Sequence, residues 1–222
     1  MIKLLTSLIV VLVSAGGARA DVITFFDFND SNLTSDRGQS ATITTNFGST
    51  GFAAGSTVNA DPDGAGPELA STAGQALSLA GSANNGNHIQ FGVNTLSLTA
   101  VQISFAALRS STGFNNNELL FSADGGANFT SGGFFSPQTT FELVAFDLSG
   151  FAALDNQADV IFRIVFNGAS SSLGTNRIDN FAVTGTAAAA PVPEPVSLMM
   201  MGTGLAGVAW SIRRRGRGVG RS

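Results

Sequence analysis

An alternation of apolar and polar side chains late in the chain constrains the fold more than any other feature. In the stretch VIFRIVF, every second residue from Val160 to Phe166 is large and apolar, and Arg163 lies among the residues between them. The stretch FELVAF, residues 141–146, alternates in the same way. A period of two is that of a β-strand with one face in a core. No segment of the body keeps a helical period with caps, so the sequence predicts an all-β fold.

Turn signals separate many short segments of this kind. Stretches such as NDSN, GSANNGN, STGFNNN and NGASSSLG are rich in the residues that favour turns. Short strands at this spacing predict a β-sandwich of the jelly-roll type. In RIDNFAVTG, the same alternation predicts that Asp179, Phe181 and Val183 share one face. Residues 48–87 are rich in small residues, and we expect a large loop over the sandwich there.

The N-terminus has the three parts of a secretory signal peptide. Lys3 supplies the positive charge, Leu4 to Val13 form an apolar core, and Ala18-Arg19-Ala20 is an A-x-A cleavage site. The apolar core is too short to span a bilayer. We therefore expect residues 1–20 to be removed by signal peptidase, which leaves Asp21 as the first residue of the exported protein.

The C-terminal part of the sequence predicts a membrane-spanning segment. An Ala/Pro linker, residues 187–195, follows the β-sandwich domain of residues 21–186, and the next 17 residues, 196–212, carry no charge. As a helix they would be about 26 Å long, enough to cross the hydrocarbon core. The basic tail, residues 213–222, then contains Arg213, Arg214, Arg215 and Arg217. Because positive residues stay cytoplasmic, this topology places the domain outside.

Pro193-Glu194-Pro195, directly before the uncharged segment, completes an ordered pattern. A signal peptide, a β-rich body, a linker, this tripeptide, an apolar span and terminal arginines together resemble the PEP-CTERM sorting arrangement. The resemblance implies an exosortase-type membrane protease that recognises the tripeptide and removes the tail. It also implies an exopolysaccharide-producing Gram-negative host, and a protein that moves from an inner-membrane-anchored precursor to the cell surface or biofilm matrix. A plain C-terminal membrane anchor remains the alternative.

The net negative charge of the body limits the classes of molecule that it can bind. Between residues 21 and 190 there are fourteen acidic residues, four arginines and no lysine. Such a surface repels nucleic acid and anionic membranes, so we expect neither as a partner. The chain has no cysteine and one histidine, His88. Thiol catalysis, cysteine-bound zinc and a multi-histidine metal site within one chain are thereby excluded.

The sequence offers candidate ligands for one cofactor, a structural calcium ion. Acidic residues occur in the turn sequences FDFND, DPDG and RIDN. Many carbohydrate-binding jelly rolls hold calcium between an N-terminal strand and an acid on the last strand, and by that resemblance Asp27 and Asp179 are the candidate ligands. No EF-hand spacing is present, and solvated turn acids are the alternative.

The stretch SADGGANF, from Ser122 to Phe129, fits the pattern S-x-D-x-G-x-x-aromatic. It resembles the Asp-box hairpin of sialidases and other secreted β proteins, with phenylalanine where tryptophan is usual. In those families the aspartate caps a turn and the aromatic residue packs beneath it. An ordinary Asp-Gly hairpin is the alternative, and neither interpretation implies catalysis.

Catalytic patterns are weak throughout. There is no G-x-S-x-G motif, and the glutamates Glu68, Glu118 and Glu142 are far apart in sequence. We therefore expect no catalytic residues and a non-enzymatic, exported surface or matrix protein. The alternative is a carbohydrate-binding module that engages exopolysaccharide, with or without the help of calcium, although the aromatic residues of the body are all phenylalanine. A secreted hydrolase is the third class.

Overall fold

A computed structural model describes residues 20–62 and 72–188. The predicted signal peptide before Ala20, the Pro-Glu-Pro segment, the predicted span and the basic tail lie outside the described residues. Within the described ranges, no helix has the length and apolar character needed to cross a membrane. The described strands all lie before Ala188, the residue at which the second of two units of the chain begins.

Twelve strands, numbered in chain order, form the described part of the chain. They are β1 (Ala20–Phe26), β2 (Arg37–Gly38), β3 (Thr44–Thr45), β4 (Gly51–Ala54), β5 (Gln75–Ala80), β6 (His88–Val93), β7 (Leu98–Arg109), β8 (Asn117–Ser122), β9 (Thr130–Phe135), β10 (Glu142–Asp147), β11 (Val160–Val165) and β12 (Thr175–Ala187). Two short 3₁₀ turns cover Ser82–Asn84 and Ala152–Leu154. The prediction of an all-β fold is confirmed.

The strands build two antiparallel sheets. The five-stranded sheet has the order β3-β6-β11-β8-β9. The seven-stranded sheet has the order β10-β7-β12-β1-β2, with β4 and β5 attached through β12. On one side β12 pairs with β7 along its length, and on the other it pairs first with β5 and then with β1. The last strand of the body is therefore the centre of its sheet.

A core of phenylalanine side chains lies between the sheets. Phe181 of β12 contacts Phe91, Phe105 and Phe26, with ring centres 4.7, 5.4 and 6.2 Å away. These rings come from both sheets and are buried. The alternation predicted from Val160 to Phe166 is confirmed, since its large apolar members are all fully buried. Edge-to-face and offset ring pairs of this kind add to the stabilisation from burial alone.

The predicted shared face of Asp179, Phe181 and Val183 is wrong at Asp179. Ile178 and Phe181 both point into the core, so two residues lie between successive core positions. The pairing of β12 with β7 is irregular there, and Asn180 has a φ of 48°. This β-bulge turns Asp179 away from the core to the outer side of the sheet.

The expected single loop across residues 48–87 is interrupted by two strands, β4 and β5, which pair with each other. The segment after β4, residues 55–62, crosses the outer side of the seven-stranded sheet. There Ala60 packs against Phe25 and Ala182 in a small separate apolar cluster. Sequence alone did not predict the strands because small residues such as Gly51 and Ala53 have weak strand preference.

Candidate functional site

The outer side of the five-stranded sheet carries side chains that the core does not use. In the middle of this face, Gln90 of β6, Arg163 of β11 and Leu120 of β8 lie opposite one another in one row. The next row contains His88, Val165 and Glu118. These residues alternate with buried core residues, so the period-two pattern of the strands places them outside. We call this surface the outer face.

Arg163 is held in a fixed position at the centre of the outer face. Its Nε and Nη2 atoms both donate hydrogen bonds to Gln90 Oε1, at 2.9 and 2.8 Å. Its Cζ atom lies 3.8 Å from the centre of the Phe129 ring, which places the guanidinium in cation–π contact. Burial and the nearby charge of Arg163 both lower the pKa of His88, so that histidine is neutral at pH 7.

Phe129 reaches Arg163 from the hairpin between β8 and β9, the one that fits the Asp-box pattern. Ser122 Oγ donates to Asp124 Oδ1 at 2.6 Å and accepts from the Gly126 N–H at 2.9 Å. Asp124 in turn accepts from the backbone and side-chain nitrogens of Asn128. The hydrogen bonds from Ser122 and Asn128 lower the pKa of Asp124 to about 2. Asp124 therefore caps the turn, as the pattern predicts.

Removing the hydroxyl at the base of this hairpin tests its structural role. Ser122 is buried and its Oγ serves three partners, so Ser122→Ala leaves the Gly126 N–H without its acceptor. We expect a loss of about 1 to 3 kcal/mol in the free energy of unfolding, measured by chemical denaturation. Ser149→Ala, at an exposed turn, is the control and should change stability little. If Ser122→Ala is as stable as Ser149→Ala, the Ser122 hydroxyl does not stabilise the hairpin.

A cleft of about 470 Å³ lies at one end of the outer face. Gly92 and Ile161 form its inner surface, and Gly125 of the hairpin lies at one side. Its polar lining comes from Gln39, Ser40, Asn94 and Asp159. The side chain of Gln39 is fixed, because it donates to the Asn94 carbonyl at 2.6 Å and accepts from the Asn94 N–H at 2.9 Å. Sequence analysis missed this cleft because its residues come from separate turns and strand ends.

Asp179 lies on the other sheet and is buried, with 1% of its surface exposed. Its carboxylate accepts from the Ser56 N–H at 2.6 Å and from the Asn180 N–H at 2.9 Å. Burial raises its pKa to about 7, although both hydrogen bonds oppose this shift, and the charge of Asp27 raises it further. The structure thus brings the two predicted calcium ligands, Asp27 and Asp179, within electrostatic reach of each other.

A third carboxylate, Asp36, lies beside Asp27 and accepts from the Asp27 N–H at 2.7 Å. Burial raises the pKa of Asp36 to about 6, and the charges of Asp27 and Asp30 add to the shift. Space at Asp179 is tight, since a Cβ on Gly55 would come within 2.5 Å of its Oδ2 atom. Among the described residues, no three His, Asp or Glu side chains converge closely enough to hold a metal ion by themselves.

Asp179 and Asn180 also attach the segment after β4 to β12. The Asn180 side chain donates to the carbonyls of Ser56 and Val58, at 2.8 and 2.9 Å. Asn59 returns a hydrogen bond of 2.7 Å to the Asn180 carbonyl. The bulge therefore has a structural role whether or not a cation binds.

The turn sequence DPDG also contributed acidic residues to the calcium prediction. Of these, Asp61 is described, whereas Asp63 lies outside the described residues.

Comparison with known proteins adds a sorting signal and a fold. Residues 191–215 match the PEP-CTERM protein-sorting motif. No curated protein matches the chain. The fold resembles the CBM22-1 xylan-binding domain of Paenibacillus barcinonensis Xyn10C, with a TM-score of 0.51 and 13% identity over 79% of this chain and 100% of that one.

The tandem CBM22-1-CBM22-2 domain of the same Paenibacillus protein gives a TM-score of 0.50 and 14% identity. This match covers 82% of the present chain and 50% of the tandem. Identity this low establishes the fold alone, a β-sandwich like those of carbohydrate-binding modules.

Proposed function

We propose that this chain is a non-enzymatic protein of the cell surface or extracellular matrix, sorted by an exosortase-type protease in an exopolysaccharide-producing bacterium. The observation that carries the proposal is the PEP-CTERM sorting motif at residues 191–215. This motif implies an exported protein that is anchored in the membrane and then sorted to the surface. The acidic, cysteine-free body is consistent with life outside the cell.

The processing route follows from the order of the segments. Signal peptidase cleaves after Ala20, and residues 196–212 then hold the precursor in the inner membrane, with the arginines of residues 213–222 on the cytoplasmic side. Pro193 and Pro195 keep the chain extended and free of helix, a form that a protease binds readily. Glu194 adds a single negative charge that a basic pocket of the protease would recognise.

Replacing Pro193, Glu194 and Pro195 by alanine tests this route. We expect the intact mass of the wild-type protein, isolated from its host, to lack both the signal peptide and the residues beyond the tripeptide. The triple variant should keep its C-terminal tail, because the protease no longer recognises the chain. Pro191→Ala, which removes a proline outside the tripeptide, is the matched control and should be processed normally. A wild-type mass that still includes residues 196–222 would overturn exosortase sorting.

The structure supports a non-enzymatic body. The two described glutamates, Glu118 and Glu142, belong to strands of different sheets. His88, the only histidine, lies on the outer face beside Val165, and its backbone N–H donates to Asn46. The fold is similar to that of a xylan-binding domain.

Carbohydrate binding is the second candidate function, and the outer face favours it. A cleft lined by amide, hydroxyl and carboxylate groups continues into a row of polar and apolar side chains. Such a surface offers hydrogen bonds to sugar hydroxyls and apolar contact to sugar rings. The similarity in fold to a xylan-binding domain supports the same function. Exopolysaccharide of the matrix would then be the ligand.

A structural calcium ion at Asp27 and Asp179 is a further part of the proposal. Burial and the charge of Asp27 disfavour the charged form of Asp179, and a divalent cation would reverse that preference. Asp36 accepts a hydrogen bond from the Asp27 N–H and so lies beside the site, although the three carboxylates do not converge on one point. Calcium takes six to eight oxygen ligands, so backbone carbonyls and water would complete the site. The ion would join the end of β1 to the bulge of β12.

A further inference from the structure

Polysaccharide-binding surfaces need a flat group against which a sugar ring can pack, and this body has neither tryptophan nor tyrosine. We propose that the stacked pair of Arg163 and Phe129 serves as that flat group and binds an uncharged polysaccharide chain. This inference rests on the proposed carbohydrate-binding function. It names the residues that make the contact and the chemical class of the ligand.

The geometry of the pair suits this role. The guanidinium of Arg163 lies 3.8 Å from the centre of the Phe129 ring, and two hydrogen bonds to Gln90 Oε1 fix its orientation. A guanidinium is planar, weakly hydrated and stacks on flat apolar surfaces, unlike a lysine ammonium group. Both side chains are half-buried, so each keeps a part of its surface in solvent. Because the pair is already ordered, binding costs little side-chain entropy.

Its position makes the pair continuous with the cleft. Ile161, on the inner surface of the cleft, lies two residues before Arg163 on β11 and points to the same side, about 7 Å along the strand. Gly126 of the hairpin lies close to Ile161 and to Phe129, since a Cβ on Gly126 would be 3.1 Å from the Ile161 side chain and 3.9 Å from the Phe129 ring. A chain bound in the cleft therefore continues over the stacked pair.

The charge of the body selects an uncharged ligand. Fourteen acids and four arginines lie between residues 21 and 190, so an acidic polymer is repelled before it makes contact. Arg109 and Arg177 already donate to the backbone carbonyls of Pro137 and Ala54. Arg163 shares the outer face with Glu118. A single guanidinium in this setting provides a flat surface and hydrogen-bond donors rather than a net positive patch.

Arg163→Lys is the decisive substitution, because lysine keeps the charge and loses the planar group. We would measure the retardation of the full-length chain, purified in mild detergent, in native gels that contain xylan, mixed-linkage glucan, galactan or alginate. We expect at least one of the three uncharged polymers to retard the wild type, and alginate, a polyuronate, to retard it least. Arg163→Lys should weaken the binding at least tenfold, whereas Arg177→Lys, the same change on the other sheet, should leave it unchanged.

A second variant distinguishes loss of the contact surface from misfolding of the chain. Phe129→Leu keeps an apolar side chain in the hairpin and removes the flat ring, and it should also weaken binding at least tenfold without lowering the thermal midpoint by more than a few degrees. If Arg163→Lys and Phe129→Leu bind as well as the wild type, the pair is not the contact surface, although the chain still binds carbohydrate. Strongest retardation by alginate overturns the ligand class. No retardation by any polymer overturns carbohydrate binding itself.

Discussion

Replacing Phe181 by alanine will lower the free energy of unfolding by about 3 to 5 kcal/mol, the range for deletion of a large buried aromatic side chain. Phe181 is fully buried and its ring contacts Phe26, Phe91 and Phe105. Phe91 belongs to the five-stranded sheet and the other rings to the seven-stranded sheet. The cavity left by the substitution therefore weakens the contact between the sheets as well as the packing within one of them.

Urea denaturation of the full-length chain in mild detergent measures this effect. Phe134→Ala removes the same number of atoms from a side chain that is 69% exposed, and it should change the free energy of unfolding by less than about 1 kcal/mol. A loss of similar size in both variants would show that the phenylalanine cluster does not hold the sheets together.

Stability will fall as the pH rises from about 4 to about 8, because the carboxyl groups of Asp179 and Asp36 hold protons in the folded state. The pKa of Asp179 is raised from 3.8 to about 7 and that of Asp36 from 3.8 to about 6. A raised carboxyl pKa means that the folded chain holds a proton that the unfolded chain has released. The resulting penalty is absent below the unfolded pKa and complete above the folded one. For Asp179 we expect it to reach at most about 4 kcal/mol, at about 1.4 kcal/mol per pKa unit.

Thermal melting between pH 4.5 and pH 8.5 tests this dependence with Asp179→Asn, whose side chain does not titrate. The variant should show a flatter profile than the wild type, and Asp124→Asn, at an exposed turn acid, should keep the wild-type slope between pH 5 and pH 8. A wild-type profile without a decline above pH 6 would contradict the raised pKa values.

The same measurement tests the proposed calcium ion. At pH 8, added calcium should raise the melting midpoint of the wild type and EDTA should lower it, because the cation offsets the negative charges of Asp27 and Asp179. Neither reagent should affect Asp179→Asn or Asp27→Asn. If calcium leaves the wild type unchanged, Asp27 and Asp179 serve only to hold the backbone segments that they contact.

Sequence predicted the fold class well and the outer face poorly, for a physical reason. Alternation from Val160 to Phe166 reports directly on which side of a strand meets the core, and the structure follows it. The stacked pair depends on a contact between Phe129 and Arg163, residues brought together by a hairpin and a strand 34 positions apart. The local patterns mark Phe129 as the aromatic residue of the hairpin and place Arg163 on the outer side of its strand, but neither pattern indicates that the two meet.

The bulge at Asn180 shows a second limit of sequence reasoning. Strict alternation predicts that Asp179 shares a face with Phe181, and one extra residue reverses that assignment. A left-handed backbone at asparagine is common enough to permit the bulge, but nothing in the sequence RIDNF demands it. Asp27 and Asp179 are near each other because β1 and β12 are neighbouring strands, whereas their role as calcium ligands stays a prediction.

The central place of β12 has a consequence for export. This strand is the last part of the body to be synthesised and to cross the membrane, yet β1, β5 and β7 all pair with it. Pairings this distant in sequence form late and slowly. The seven-stranded sheet therefore cannot close until nearly the whole body has emerged. A chain that ends before Thr175 lacks both the centre of this sheet and the sorting motif.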